Sequence, residues 1–172
     1  MVQTAVPDSD ISTNDGFSDA WEDESGGTTN RYVELADSSD STYVYNNALG
    51  STPTLEVGLG TLSSPGAGTR TLRFRAQGNG FSSVTIELFE GSDSKGAFTE
   101  TPPGGFPPTV TEYDETITDS ITDYSNLSVK LTADDSNVLV MKVEFEVPDA
   151  GGGGGGGDVE DPTNPEAFLM FL

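Results

Sequence analysis

The chain contains no cysteine and no histidine. The first absence excludes disulfides. Together they exclude zinc sites of the Cys/His kind and any Ser-His-Asp or Cys-His nucleophilic machinery. Basic residues are scarce as well: 7 Lys and Arg stand against 29 Asp and Glu, a formal net charge of −22. Such a surface repels phosphate and anionic headgroups alike, so neither nucleic acid nor membrane is an expected partner. Its plain reading is solubility, with salt screening the self-repulsion. The sharper readings are divalent-cation binding or docking on a basic partner. Long apolar runs are also missing. The strongest terminal run, Phe168 to Leu172, falls far short of a membrane span. Met1-Val2-Gln3-Thr4-Ala5 has neither the basic start nor the apolar stretch of a secretory leader, so none is expected.

What the chain does have is short alternating runs rich in Thr and Ser, bounded by Gly and Pro. Leu55, Val57 and Leu59 alternate; so do Leu72, Phe74 and Ala76, then Val84, Ile86 and Leu88, then Leu127, Val129 and Leu131. The last run is expected to bury Leu139, Met141, Val143, Phe145 and Val147, with Lys142, Glu144 and Glu146 outward. Shorter strands are expected over 2–6, 31–35 (Tyr32 or Val33 inward), 42–45 and 109–117. Residues 7–30 read as a polar loop, 100–108 as a Pro/Gly loop, and 119–126 as one helical turn. Roughly eight to ten short strands with one buried face each predict an all-β, antiparallel two-sheet sandwich, jelly-roll-like, over residues 1–148.

Beyond Pro148 the composition changes. Residues 149–166 read as a Gly/acidic/Pro linker, since the run Gly151 to Gly157 brings no side chain to bury. It leads to a hydrophobic segment, 167–172, in which Phe168, Leu169, Met170, Phe171 and Leu172 would contribute roughly 1.5–3 kcal/mol each if buried. A flexible chain from Pro148 to Ala167 reaches roughly 25 Å, enough to leave its own domain. This extended C-terminal tail is therefore read as a partner-docking hook, with a floppy end as the bland alternative.

Other candidates compete with ordinary packing. Arg73 and Arg75 are read as cross-strand partners of outward acids such as Glu144, Glu146 or Glu87, with contact to a neighbouring subunit as the sharper alternative. Asp8, Asp10, Asn14 and Asp15 offer hard oxygen ligands for a structural calcium ion, as do Asp134-Asp135-Ser136-Asn137, but neither spacing is an EF-hand and an Asx-rich loop is the favoured reading. No other cofactor is expected. Trp21, Tyr43 and Tyr45 are a candidate aromatic platform for sugar, weighed against core or sheet packing. No carboxylate pair stands out among the acids as glycosidase machinery, so an enzyme is not expected.

The segment Ile121-Thr122-Asp123-Tyr124-Ser125-Asn126-Leu127-Ser128-Val129-Lys130-Leu131 resembles a stretch of the form ITDYS-x-L-x-V-x-L in tailed-bacteriophage virion structural proteins. The turn-strand Ala36-Asp37-Ser38-Ser39-Asp40-Ser41-Thr42-Tyr43-Val44 and the arginine strand Leu72-Arg73-Phe74-Arg75-Ala76 are similar to parts of the same domains, and the match runs through short motifs over residues 6–147. The resemblance implies a β-sandwich module on the exterior of a virion, made in the host cytoplasm, and not an enzyme. The expected function is a capsid decoration or cement protein that grips neighbouring capsid subunits. Its partners would be the major capsid protein and copies of itself, so that it is oligomeric in the assembly. The alternatives are a carbohydrate-binding or adhesion module of a tail or fibre, and a neck or tail accessory protein.

Overall fold

Alternation decides which side of each strand is covered. In the computed structural model, which describes residues 1–14, 21–37, 39–46, 52–104, 109–134 and 138–150, the described residues form eleven strands and one short helix. One sheet has the order β3 (Trp21–Asp23), β4 (Val44–Asn46), β11 (Leu139–Pro148), β6 (Arg70–Gln77), β9 (Thr111–Ile117), with β1 (Val2–Ala5) also paired to β11. The other has the order β2 (Pro7–Asn14), β5 (Thr54–Leu59), β10 (Leu127–Ala133), β7 (Val84–Glu90), β8 (Asp93–Glu100). All pairings are antiparallel. The helix α1 (Tyr32–Ala36) packs between β2 and β11.

The two sheets face each other as a jelly-roll-like sandwich whose single core is drawn from both inner faces. Leu72 and Phe74 of β6 and Val143 and Phe145 of β11 meet Leu55, Val57, Ile86, Leu88, Val129 and Leu131 of the other sheet, all of them fully buried. Each large side chain removed from water in this way contributes about 1.5–3 kcal/mol. Tyr113 of β9 closes one margin, stacked on Phe74 with ring centroids 4.8 Å apart and planes 18° from parallel.

The β7–β8 hairpin turns on two residues, Gly91 and Ser92, between the paired Glu90 and Asp93. Gly91 has φ of +59° there, a conformation in which a side chain is strained.

Four local expectations are corrected. Residues 7–14 are a strand, not a loop; β2 follows β5 through register shifts between Pro7 and Ser9 and between Asp10 and Ser12, which its polar sequence hid. The strand expected at 31–35 is α1, because both Asp10 carboxylate oxygens accept the backbone N–H groups that open it, from Arg31 (3.0 Å) and Tyr32 (2.9 Å). A register shift between Val140 and Lys142 changes the parity of β11, so Val140 faces the core and Leu139 is only partly covered. The helical turn expected over 119–126 is one hydrogen-bonded turn, from the Asn126 N–H to the Asp123 carbonyl (3.5 Å). The tail expectations, including Phe168, Leu169, Met170, Phe171 and Leu172, lie outside the described residues, as do Asp15, Asp135, Ser136, Asn137 and the side chain of Asn14.

Candidate functional site

The outer face of the β3-β4-β11-β6-β9 sheet gathers four of the residues singled out above, Arg73, Arg75, Tyr43 and Tyr45. Its cross-strand rows follow from the register. Glu22, Tyr45, Leu139 and Gln77 form one row across β3, β4, β11 and β6. Lys142, Arg75 and Glu112 form the next, and Glu144, Arg73 and Asp114 the one after.

Arg73 meets two of the acids expected of the arginines, whereas Arg75 meets two that were not foreseen. Arg73 Nη1 donates to Glu144 Oε1 at 3.0 Å and to Glu146 Oε1 at 2.8 Å, and its Nε donates to Asp114 at 2.5 Å. These carboxylates, Asp114 foremost, hold its guanidinium pKa even above the ordinary range. Arg75 pairs with Asp40 through Nη2, and its Nε is 4.0 Å from Glu112. Glu87 is not a partner: it lies on the other sheet, where Lys130 Nζ is 2.9 Å from its Oε2.

The aromatic candidates separate. Trp21 is fully buried in the core, so it offers no ring face to a ligand and its place in the platform is withdrawn. Tyr43 and Tyr45, two residues apart on one side of the chain, are partly exposed, with ring centroids 6.0 Å apart and planes 65° apart. The Tyr45 hydroxyl donates to Glu22 Oε2 at 2.5 Å, and that bond, followed by burial, pushes its pKa up to about 12. The loop leading to Tyr43 is fixed from within. Asp37 Oδ1 accepts from the Ser39 N–H (2.8 Å) and from the Thr42 hydroxyl (2.7 Å), while Asp40 reaches over to Arg75. Tyr43, Tyr45 and Leu139 thus make an apolar patch rimmed by Glu22, the Asp40–Arg75 pair and Gln77. Tyr45 and Gln77 sit two strands apart, about 10 Å by sheet geometry.

Of the calcium candidates, Asp8, Asp10 and Asp134 have described side chains, and each is engaged within the chain. Both oxygens of Asp10 are engaged by α1, and Arg31 Nε lies 3.6 Å from its Oδ2. A nearby cation and two amide donors leave it poorly disposed to a metal, so Asp10 is withdrawn as a ligand. Asp8 accepts a bond from the Ser9 hydroxyl at 3.0 Å. Among the described residues no group of three or more carboxylates is placed to hold a metal ion. In the second acidic turn, Asp134 accepts from the N–H (2.6 Å) and the hydroxyl (2.7 Å) of Ser83.

The motif over 121–131 serves the fold. Ile121, Tyr124, Leu127, Val129 and Leu131 are buried, and the Tyr124 hydroxyl accepts from Arg70 Nε at 2.7 Å. Sequence reasoning missed Glu22, Asp40, Leu139 and Gln77 as neighbours of the tyrosines. Only strand register brings them together, although the 37–44 turn-strand and the arginine strand, which meet through Asp40 and Arg75, were both visible.

No family model matches the chain, and no curated protein matches it. Among solved structures it is similar to TmCBM61 in complex with beta-1,4-galactotriose, at 10% identity and TM-score 0.47 over 78% of this chain and 86% of that one. It is also similar to the C-terminal CBM6 of LamC, a marine laminarinase from Zobellia galactanivorans, at 14% identity and TM-score 0.47 over 86% and 99% of the two chains. A third is the carbohydrate-binding module CBM6cm-2 of Cellvibrio mixtus lichenase 5A in complex with cellotriose, at 15% identity and TM-score 0.46 over 86% and 98%. At these identities, and with TM-scores below 0.5, none of these likenesses assigns a ligand to this chain.

Proposed function

We propose that this chain is a carbohydrate-binding module of the adhesion kind, without a catalytic step of its own. The observation that carries the reading is the Tyr43–Tyr45 pair, partly exposed on a strand-backed face with Leu139 beside it and Glu22 bonded to Tyr45. Sugar rings present apolar C–H faces and hydroxyl edges. A site for them needs aromatic surface with donors and acceptors at its rim, and a rigid backing that holds both in place. Glu22, Gln77 and the Asp40–Arg75 pair stand at that rim. The test is affinity electrophoresis of the full chain against a panel of soluble polysaccharides. Retardation by at least one, lost in the Tyr43→Ala/Tyr45→Ala double variant while its melting transition stays cooperative, is the expected result. Absence of retardation throughout the panel refutes the reading.

The resemblance of residues 36–44, 72–76 and 121–131 to tailed-phage virion proteins bears on where such a module works. As part of the same proposal, it sits on a particle exterior, with the apolar segment 167–172 docking it to another virion protein. A chain lacking 158–172 should then bind polysaccharide as before and fail to occupy particles. Full occupancy by the truncated chain would remove the docking role and leave the sugar-binding face untouched.

A further inference from the structure

Resting on that reading, the geometry points to a ligand class: we infer that the face takes single, uncharged glycan chains in solution, and neither the flat surface of a crystalline polysaccharide nor a polyuronate. Two independent observations lead there.

The first is the angle between the rings. An extended crystalline surface can be gripped only by aromatic rings lying in one plane, so that all touch it at once. Tyr43 and Tyr45 diverge by 65° at a centroid distance of 6.0 Å. When either ring lies flush against a flat surface, the other stands edge-on to it and adds little contact. The ring of Tyr45 and the backbone that carries Tyr43 are both held. Tyr45 is tied through its hydroxyl to Glu22. Tyr43 leaves a loop pinned by Asp37 to Ser39 and Thr42, and by Asp40 to Arg75. Two rings meeting at a corner suit a separate chain, whose sugar can lay its face on one ring and its edge against the other.

The second is charge. The carboxylates at the rim of the patch are Glu22 and Asp40, and the cations of the neighbouring row are already engaged: Arg75 with Asp40, Lys142 with Glu144 at 2.8 Å. A sugar carboxylate entering beside Tyr45 meets Glu22 with no unengaged cation among these groups to compensate it. The whole-chain charge of −22 adds repulsion at longer range, strongest at low ionic strength.

The experiment sets three probes against the full chain. These are soluble neutral polysaccharides (mixed-linkage β-glucan, galactan, xylan and mannan), crystalline cellulose and chitin powders, and polygalacturonate at low and high salt. Expected is binding to at least one soluble neutral chain, weakened about tenfold or more by Tyr43→Ala or by Tyr45→Ala, with no depletion by either powder and no retardation by polygalacturonate. Tyr45→Phe, which keeps the ring and removes its tie to Glu22, should retain part of the affinity. Depletion by a crystalline powder, or retardation by polygalacturonate, overturns this inference while leaving a carbohydrate-binding role in place. Failure with every polysaccharide overturns the proposed function, and this inference with it.

Discussion

Glu144 Oε1 lies 3.0 Å from Arg73 Nη1, while its other oxygen lies 2.8 Å from Lys142 Nζ, so one nearly buried carboxylate on β11 bridges two cations. Arg73 in turn gathers Glu146 and Asp114 and so ties β11, β6 and the edge strand β9 together on the outer face of their sheet. Its side chain is 25% exposed, between the regimes of a surface pair and a buried one. Arg73→Met should therefore lower unfolding free energy by about 2 kcal/mol, more than a solvated pair contributes and less than the loss of a fully buried one. Arg73→Lys should fall between, because a point charge cannot serve several carboxylates at once. Urea denaturation measures both, and a midpoint for Arg73→Met equal to that of the parent chain would contradict the argument.

A second carboxylate sets an acid limit. Glu90 Oε1 accepts from the Thr122 hydroxyl at 2.5 Å and from the N–H groups of Thr122 (3.0 Å) and Asp123 (2.7 Å), and its Oε2 is 2.9 Å from Lys95 Nζ. Those bonds, the Thr122 hydroxyl first, bring its pKa from 4.5 down to about 2. A depressed carboxylate contributes stability that is present above its unfolded pKa and is lost as pH falls through the folded one. Glu90→Gln should therefore be less stable than the parent at neutral pH, and the difference should close between about pH 4.5 and pH 2. Denaturation midpoints measured across that range check it; a difference independent of pH would mean that the charge is not what matters.

Glu115 behaves in the opposite sense. It lies at the margin of the sandwich on β9, where burial, then Glu100 and Asp114, raise its pKa above 4.5. For a raised carboxyl the stability is whole below the unfolded pKa and declines as pH rises through the folded one, so at neutral pH the ionised group is a burden. Glu115→Gln should stabilise the chain at pH 7 by up to about 0.5 kcal/mol and leave it unchanged below about pH 4. Thermal melts at the two pH values distinguish this from a packing effect, which would persist in acid.

How far the sequence reveals this fold depends on whether the information is local. Strands β5, β6, β7 and β10 were legible because each buries one face and its own side chains alternate. Strand β8, DSKGAFTE, was not: it is an edge strand whose pattern is exposed or half-exposed throughout, and its partner β7 supplies the register. The parity change at Val140 and Met141 was hidden because four apolar residues in a row, Val138, Leu139, Val140 and Met141, leave alternation ambiguous until β6 fixes which ones face in. The candidate face was half legible. Spacing put Tyr43 and Tyr45 on one side, but Trp21 was wrongly grouped with them, since nothing within one strand distinguishes a buried ring from an exposed one. Glu22 and Gln77 became their neighbours only through pairing across β3, β4, β11 and β6.

The acid at position 10 is best understood through the cation it faces. Arg31 is 6% exposed, donates from Nη1 to the Trp21 carbonyl at 2.8 Å, and has Asp10 Oδ2 at 3.6 Å from its Nε, which has no hydrogen-bond partner among the described residues. Removing Asp10 therefore does two things at once. It uncovers the N–H groups of Arg31 and Tyr32 at the start of α1, and it leaves a buried guanidinium without its counter-charge. Asp10→Ala should lower stability by about 4 kcal/mol, the sum of about 1 kcal/mol for a lost cap and about 3 kcal/mol for a broken, largely buried pair. If the charge is the larger part, adding Arg31→Met should recover some of that loss, so the double variant should be more stable than the two single effects added together. The same arrangement predicts indifference to calcium: a carboxylate already holding two amides and a guanidinium has little to offer a divalent ion. Neither calcium nor a chelator should move the melting temperature, whereas a metal bound to the native state would raise it with concentration. A chelator-induced drop would show that other oxygens of the 8–15 segment hold an ion after all.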